Sequence, residues 1–167
     1  MIFTASGYAG AYELQHTDAG DVKRWFESCM YYSINVDGAR DLDFERVREA
    51  IRASFDTWED VECSYFYFVE TEPTSCRETG FNDDRGNVNV LYWVKENWDK
   101  EIIDDERALA FTIVSVDKDT GAILDTDIKF NAERLPFGLN GEEGKTDLIN
   151  TATHEIGHVY WSFPSPR

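Results

Sequence analysis

The fold is decided by the stretch DLINTATHEIGHV at residues 147–159 of a 167-residue chain. Its apolar side chains recur every three or four residues, which is the spacing of one buried face of a helix. They are Ile149, Ala152, Ile156 and Val159. Thr146 and Asp147 stand just before this run and are natural N-terminal caps. The stretch therefore predicts a core helix with a polar opposite face.

The polar face of this predicted helix carries His154, Glu155 and His158. Side chains four residues apart lie about 40° apart around a helix and about 6 Å apart along it, so both imidazoles face one point. Neutral imidazole nitrogens bind zinc at about 2 Å, and His154 and His158 are therefore the predicted metal ligands. Glu155 projects about 100° away from His154. It is the predicted catalytic general base, placed to take a proton from a water on the metal.

A plainer interpretation of the same three residues exists. Two surface histidines and a glutamate can also support a helix end through contacts between side chains four residues apart. Gly157 adds little bulk beside the metal face. His16, the third histidine of the chain, is too far away in sequence to be placed.

Composition limits the classes of function. With 42% hydrophobic and 14% aromatic residues, the chain is predicted to be a packed globule. A net charge of −17 argues against nucleic acid and anionic membranes as partners, because both attract basic surfaces. No apolar run reaches membrane-spanning length. No signal peptide is visible at residues 1–5, so a signal lies upstream or the protein stays in the cell.

The three cysteines leave several arrangements open. Cys29 and Cys63 each open a predicted strand, so a bridge between neighbouring strands is one possibility in an oxidising compartment. Three reduced thiols, with Cys76 as the third, are nearly as compatible with the sequence. No two cysteines form a CxxC pair, which argues against a redox or zinc-ribbon role.

The rest of the chain alternates between strand-like and helix-like stretches. A helical period predicts a long amphipathic helix at residues 41–58, with Asp41 or Asp43 as its cap. The predicted strands are 29–36, 63–69, 87–93, 108–116 and 122–131, the last two joined by a hairpin turn at 117–121. Residues 1–20 are predicted to be a loose lead-in. Residues 21–167 are predicted to form one α+β domain.

From residue 24 to residue 158 the chain resembles a matrixin-type zinc metalloprotease, a secreted bacterial relative of the matrix metalloproteinases. Similar stretches follow one another in the family's order. They are residues 29–35, 51–58, 86–90, 108–112, 127–131 and 147–158. The sharpest is the last, which holds the His-Glu-x-x-His motif.

The resemblance implies a metzincin-like fold: a twisted, mostly parallel five-stranded sheet with about three helices. It implies a secreted, zinc-dependent endopeptidase that acts on peptide or protein substrates, and we expect a monomer. The strand at residues 108–111 would pair with an extended substrate. A structural calcium near Asp127 is also implied. A second zinc of some relatives is not expected, because Lys129 stands where they have a histidine.

The family signature continues as His-x-x-Gly-x-x-His and a methionine-containing turn. Here Trp161 and Pro164 occupy the glycine and third-histidine positions, and the chain ends at Arg167. The pattern is that of a domain truncated after the metal helix, incomplete at its C-terminus. With two histidines a zinc would be bound more weakly than in a three-ligand catalytic site. Two functions therefore stand: a zinc endopeptidase, and a non-catalytic peptide-binding or structural remnant.

Overall fold

A computed structural model gives the architecture of the chain. It describes residues 15–40, 42–62, 65–84, 86–98 and 108–160, except for the side chain of Tyr160. The elements are β1 (Cys29–Ile34), α1 (Phe44–Glu59), β2 (Tyr67–Glu70), β3 (Asn89–Val94), β4 (Ala110–Val116), β5 (Ile123–Asn131), β6 (Phe137–Gly138), β7 (Thr146–Asp147) and α2 (Leu148–Tyr160). This succession of strands and helices confirms the predicted α+β class.

Five strands form one sheet in the order β2-β1-β3-β5-β4. The first four run parallel, and β4 is antiparallel to β5. Helix α1 makes the crossover between β1 and β2, as parallel neighbours require, whereas a short turn is enough to join β4 to β5. The mostly parallel five-stranded sheet is confirmed, with two helices within the described residues where the resemblance implies about three.

Both helices pack together on one face of the sheet, and α2 also contacts β4. Tyr32 of β1 stacks on Phe55 of α1 with ring centroids 4.0 Å apart. Thr112 of β4 pairs with Ile128 of β5, which in turn pairs with Leu91 of β3. Residues paired in this way share a face of the sheet. The side chain of Thr112, on the edge strand, therefore lies on the face that the helices cover.

Both helices begin at caps that the sequence predicts. The carboxylate of Asp43 accepts hydrogen bonds from the backbone nitrogens of Glu45 and Arg46 at 3.1 and 3.3 Å. Asp147 accepts one from Asn150 at 2.9 Å, at the start of α2. The other candidate cap of α1, Asp41, lies outside the described residues.

The structure corrects several of the predicted boundaries and adds two short strands. Strand β1 ends at Ile34 rather than at residue 36, because the Asn35 side chain accepts a hydrogen bond from Asp37 and turns the chain. The loop predicted at residues 136–144 contains β6, which pairs in parallel with β7 just before α2. This small two-stranded unit ends directly before α2, the helix that carries the predicted metal ligands.

Among the described residues, Cys29 in β1 and Cys76 in the loop after β2 form no disulfide. Cys63 lies outside the described residues, so the bridge between Cys29 and Cys63 stays a prediction. Neither helix of the described part of the chain is long and apolar enough to cross a membrane.

Candidate metal centre

Helix α2 brings the two predicted metal ligands together. The Nε2 atoms of His154 and His158 are 3.3 Å apart, and their rings meet at 86°. His154 is exposed and His158 is half-buried. The pair therefore stands at the surface of the helix with one nitrogen of each ring turned toward the other.

This spacing fits a shared zinc ion. Two nitrogens that each lie about 2.0–2.1 Å from a tetrahedral ion are separated by about 3.3 Å. The separation of Nε2 atoms in His154 and His158 has that value. The 3.3 Å separation is therefore compatible with a shared zinc ion, and it is also the length of a hydrogen bond between the two rings.

Electrostatics favour the metal-binding form of one ligand. Burial lowers the pKa of His158, and the nearby His154 lowers it further. Burial disfavours the charged imidazolium, and neutral imidazole is the form that coordinates metal. Burial therefore favours the neutral imidazole of His158, the form that a predicted metal ligand needs.

The side chain of Glu155 lies in the space between α2 and the sheet. The residue is 6% exposed, and its Oε2 accepts a hydrogen bond of 2.8 Å from the hydroxyl of Thr112. Burial raises the pKa of Glu155 to about 7, with the Thr112 hydrogen bond acting in the other direction. A carboxyl group in this range suits a general base that works at neutral pH.

A third protein ligand is not found in the described ranges. Within them no cluster of three or more His, Cys, Asp or Glu residues is arranged to hold a metal. Trp161 and Pro164, at the glycine and third-histidine positions of the family signature, lie outside the described residues. His16 is exposed, and its backbone forms an isolated antiparallel β-bridge with Val22.

Gly157 serves the contact between the two helices. A Cβ atom at this position would lie 2.7 Å from Cζ2 of Trp58 in α1. The indole nitrogen of Trp58 donates a hydrogen bond of 2.8 Å to the carbonyl of Thr153. The low bulk of Gly157, expected beside the metal face, thus lets α1 approach the metal helix and hold it in place.

Two buried aspartates on β5 form a second polar cluster. Asp127 accepts hydrogen bonds from the backbone nitrogens of Val90 and Gly80, at 2.9 and 2.7 Å. Among the described residues, neither oxygen of Asp125 has a hydrogen-bond partner of ordinary geometry. Burial, with the charge of Asp127, raises the pKa of Asp125 to about 8. The sequence analysis did not identify Asp125, because its position within a predicted strand was the only indication that its side chain could be buried.

Strand β4 lies at one edge of the sheet, beside α2. In the described part of the chain it pairs with β5 alone, so its other edge keeps backbone groups that an extended chain can pair with. Lys129, on the neighbouring strand, is 8% exposed, and its ammonium lies over the rings of Tyr92 and Phe111. The edge strand β4 is thus in contact with α2, the helix that carries the histidine pair.

Comparison with known proteins identifies the family. A family model described as Matrixin, peptidase family M10, matches residues 24–160, which is most of the chain and includes the sheet and both helices. No curated protein matches the sequence. This match over most of the chain leads to one conclusion. The chain belongs to the matrixin family of metallopeptidases.

Proposed function

We propose that this chain is a zinc-dependent endopeptidase in which His154 and His158 hold the metal and Glu155 is the general base. Matrixins are peptidases and are zinc-dependent in general. The observation that carries the proposal is the pair of imidazole nitrogens 3.3 Å apart, next in the helix to a buried carboxyl group. These three residues would supply two of the three protein ligands of a catalytic zinc, together with the general base.

Zinc supplies a Lewis acid that polarises a carbonyl and lowers the pKa of water. Glu155 takes the proton of the attacking water as the new C–O bond forms at the scissile carbonyl. It then returns that proton to the departing nitrogen as the C–N bond breaks, so the carboxyl group is unchanged after each turnover. His158, kept neutral by burial, stays available as a ligand through the cycle.

The substrate is proposed to be an extended peptide or protein segment that adds as a strand beside β4. The open edge of β4 supports this role, since strand addition needs unpaired backbone groups. We further propose that residues 21–167 form the catalytic domain and that the protein acts as a secreted monomer, as matrixins are generally secreted.

The test is cleavage of a generic fluorogenic protein substrate after zinc loading. We expect close to one zinc per chain by elemental analysis, and cleavage that stops with a chelator and resumes with zinc. Glu155→Gln should lower kcat/KM by about 100-fold or more with zinc content unchanged. The exposed Glu49 of α1 provides the control Glu49→Gln, which should leave cleavage intact. Zinc-loaded protein that cleaves nothing would exclude the enzymatic role.

A second candidate is a non-catalytic peptide-binding or structural remnant. It is favoured by the fact that only two metal ligands are brought together within the described ranges. A remnant keeps the open edge of β4 and binds peptide without zinc. Peptide affinity measured by fluorescence anisotropy would then be indifferent to chelator and to Glu155→Gln, whereas an enzyme of this type should respond to both.

A structural calcium near Asp127 is also proposed. Because Asp127 already bonds two backbone nitrogens, Asp125 is the better carboxylate donor for the ion. Calcium added to fully chelated protein should raise Tm, since a ligand that binds only the folded state stabilises it. The increase should be absent in Asp125→Asn, and an unchanged Tm in the wild type would contradict the site.

A further inference from the structure

We propose that Thr112 is a positioning residue for Glu155, a role that rests on the proposed peptidase function. Thr112 is completely buried in β4, on the face of the sheet that α2 covers. Its Oγ1 lies 2.8 Å from Oε2 of Glu155 and 3.1 Å from the backbone carbonyl oxygen of the same residue. One hydroxyl thus contacts the predicted base at both its carboxyl group and its backbone.

The fold alone does not account for this hydroxyl. A valine has nearly the same shape and suits a buried strand at least as well, whereas a buried hydroxyl lowers stability unless it is hydrogen-bonded. Ser54, another buried hydroxyl, donates to backbone carbonyls, at 2.8 Å to Ala50 of its own helix and at 3.3 Å to Ile149 of α2. Thr112 instead contacts a carboxyl group. Within the described residues it is the hydrogen-bond partner of the Glu155 carboxyl group.

The contact fixes the base relative to the substrate. A glutamate side chain has several rotamers, and a base displaced by about 1 Å can lose about 100-fold in rate. Because Thr112 bonds one carboxyl oxygen, the other oxygen is left for the proton of the attacking water. Thr112 belongs to β4, where the substrate is proposed to bind. Strand β4 would therefore position both the base, through Thr112, and the bound peptide.

The double contact also serves both forms of the base. While Glu155 is ionised, the single hydroxyl proton of Thr112 is donated to Oε2. When the carboxyl group carries on its other oxygen the proton taken from water, the hydroxyl can still donate to Oε2 or to the backbone oxygen 3.1 Å away. No heavy atom has to move between the two forms.

The experiment compares three variants of the zinc-loaded protein with a fluorogenic peptide. Thr112→Val should lower kcat by about 10-fold or more, with KM within about twofold of wild type. Thr112→Ser keeps the hydroxyl and should recover kcat to within about threefold. The control is Thr126→Val: this buried threonine of β5 directs its hydroxyl to the sulfur of Met30 and has no contact with the base. It should keep kcat.

A second readout does not need activity. In protein labelled at glutamate carboxyl carbons, Thr112→Val should shift the Glu155 resonance, while Thr112→Ser and Thr126→Val should leave it near its wild-type position. An unmoved resonance, or equal kcat in Thr112→Val and wild type, overturns the positioning role. A wild type that binds zinc but cleaves nothing overturns the proposed function instead, and the carboxyl resonance then decides the Thr112 contact by itself.

Discussion

The contact between Trp58 and Gly157 gives a prediction that can be worked out from the geometry. Gly157→Ala places a Cβ atom 2.7 Å from Cζ2 and 3.3 Å from Cη2 of the Trp58 indole. The indole cannot turn away freely, because its nitrogen is bonded to the carbonyl of Thr153 at 2.8 Å. The substitution must therefore push the two helices apart or break that hydrogen bond.

Opposing effects set the size of the change. Overpacking a buried contact costs about 1–3 kcal/mol, and loss of the indole hydrogen bond would add about 1 kcal/mol. Alanine in place of glycine inside a helix contributes about 1 kcal/mol in the opposite direction. The balance is a loss of about 1–3 kcal/mol in the free energy of unfolding. For a chain of this size that lowers Tm by about 2–12 °C.

Thermal and urea unfolding of chelated protein measure this loss without interference from metal. The matched control is the same substitution in a Trp58→Phe background, where the atoms that the new Cβ meets are absent. There Gly157→Ala should be neutral or stabilising by up to about 1 kcal/mol. A Gly157→Ala protein more stable than wild type, or an equal cost in both backgrounds, would refute the packing argument.

Three further predictions concern stability. Asp125 has a pKa raised to about 8 in the folded chain, against about 4 when unfolded, so in chelated protein stability should fall as pH rises through this window. Urea unfolding at several pH values measures this dependence. Asp125→Asn should reduce the loss of stability with rising pH, whereas the substitution Asp119→Asn at an exposed position should leave it unchanged. Asp43→Ala removes the cap of α1 and should cost about 1 kcal/mol in urea unfolding; no loss would mean that the end of the helix frays already. The hydroxyl of Ser54 lies 3.3 Å from the Ile149 carbonyl and links the two helices, so Ser54→Ala should lower the free energy of unfolding by about 1 kcal/mol. An unchanged midpoint of urea unfolding would show that this hydroxyl stabilises nothing beyond its own helix α1.

The sequence predicted the parts of the site that depend on local geometry. The angle and rise of a helix are fixed, so a four-residue separation is enough to bring the rings of His154 and His158 to one side. The same local rule predicts the caps at Asp43 and Asp147, because a cap bonds nitrogens two or three residues ahead. Alternating apolar residues or, at 63–69, a run of aromatic residues predicted strands of the five-stranded sheet, although with inexact ends.

The environment of that site was decided only by the tertiary structure. Thr112 and Glu155 are 43 residues apart, and Trp58 and Thr153 are 95 apart. Their contacts exist because strand pairing and helix packing fix those distances, and no local pattern encodes such partners. Burial of Asp125 likewise follows from its place in a strand between two others. By itself the sequence predicted which residues bind a metal and which one moves a proton, whereas packing decided which neighbours surround them.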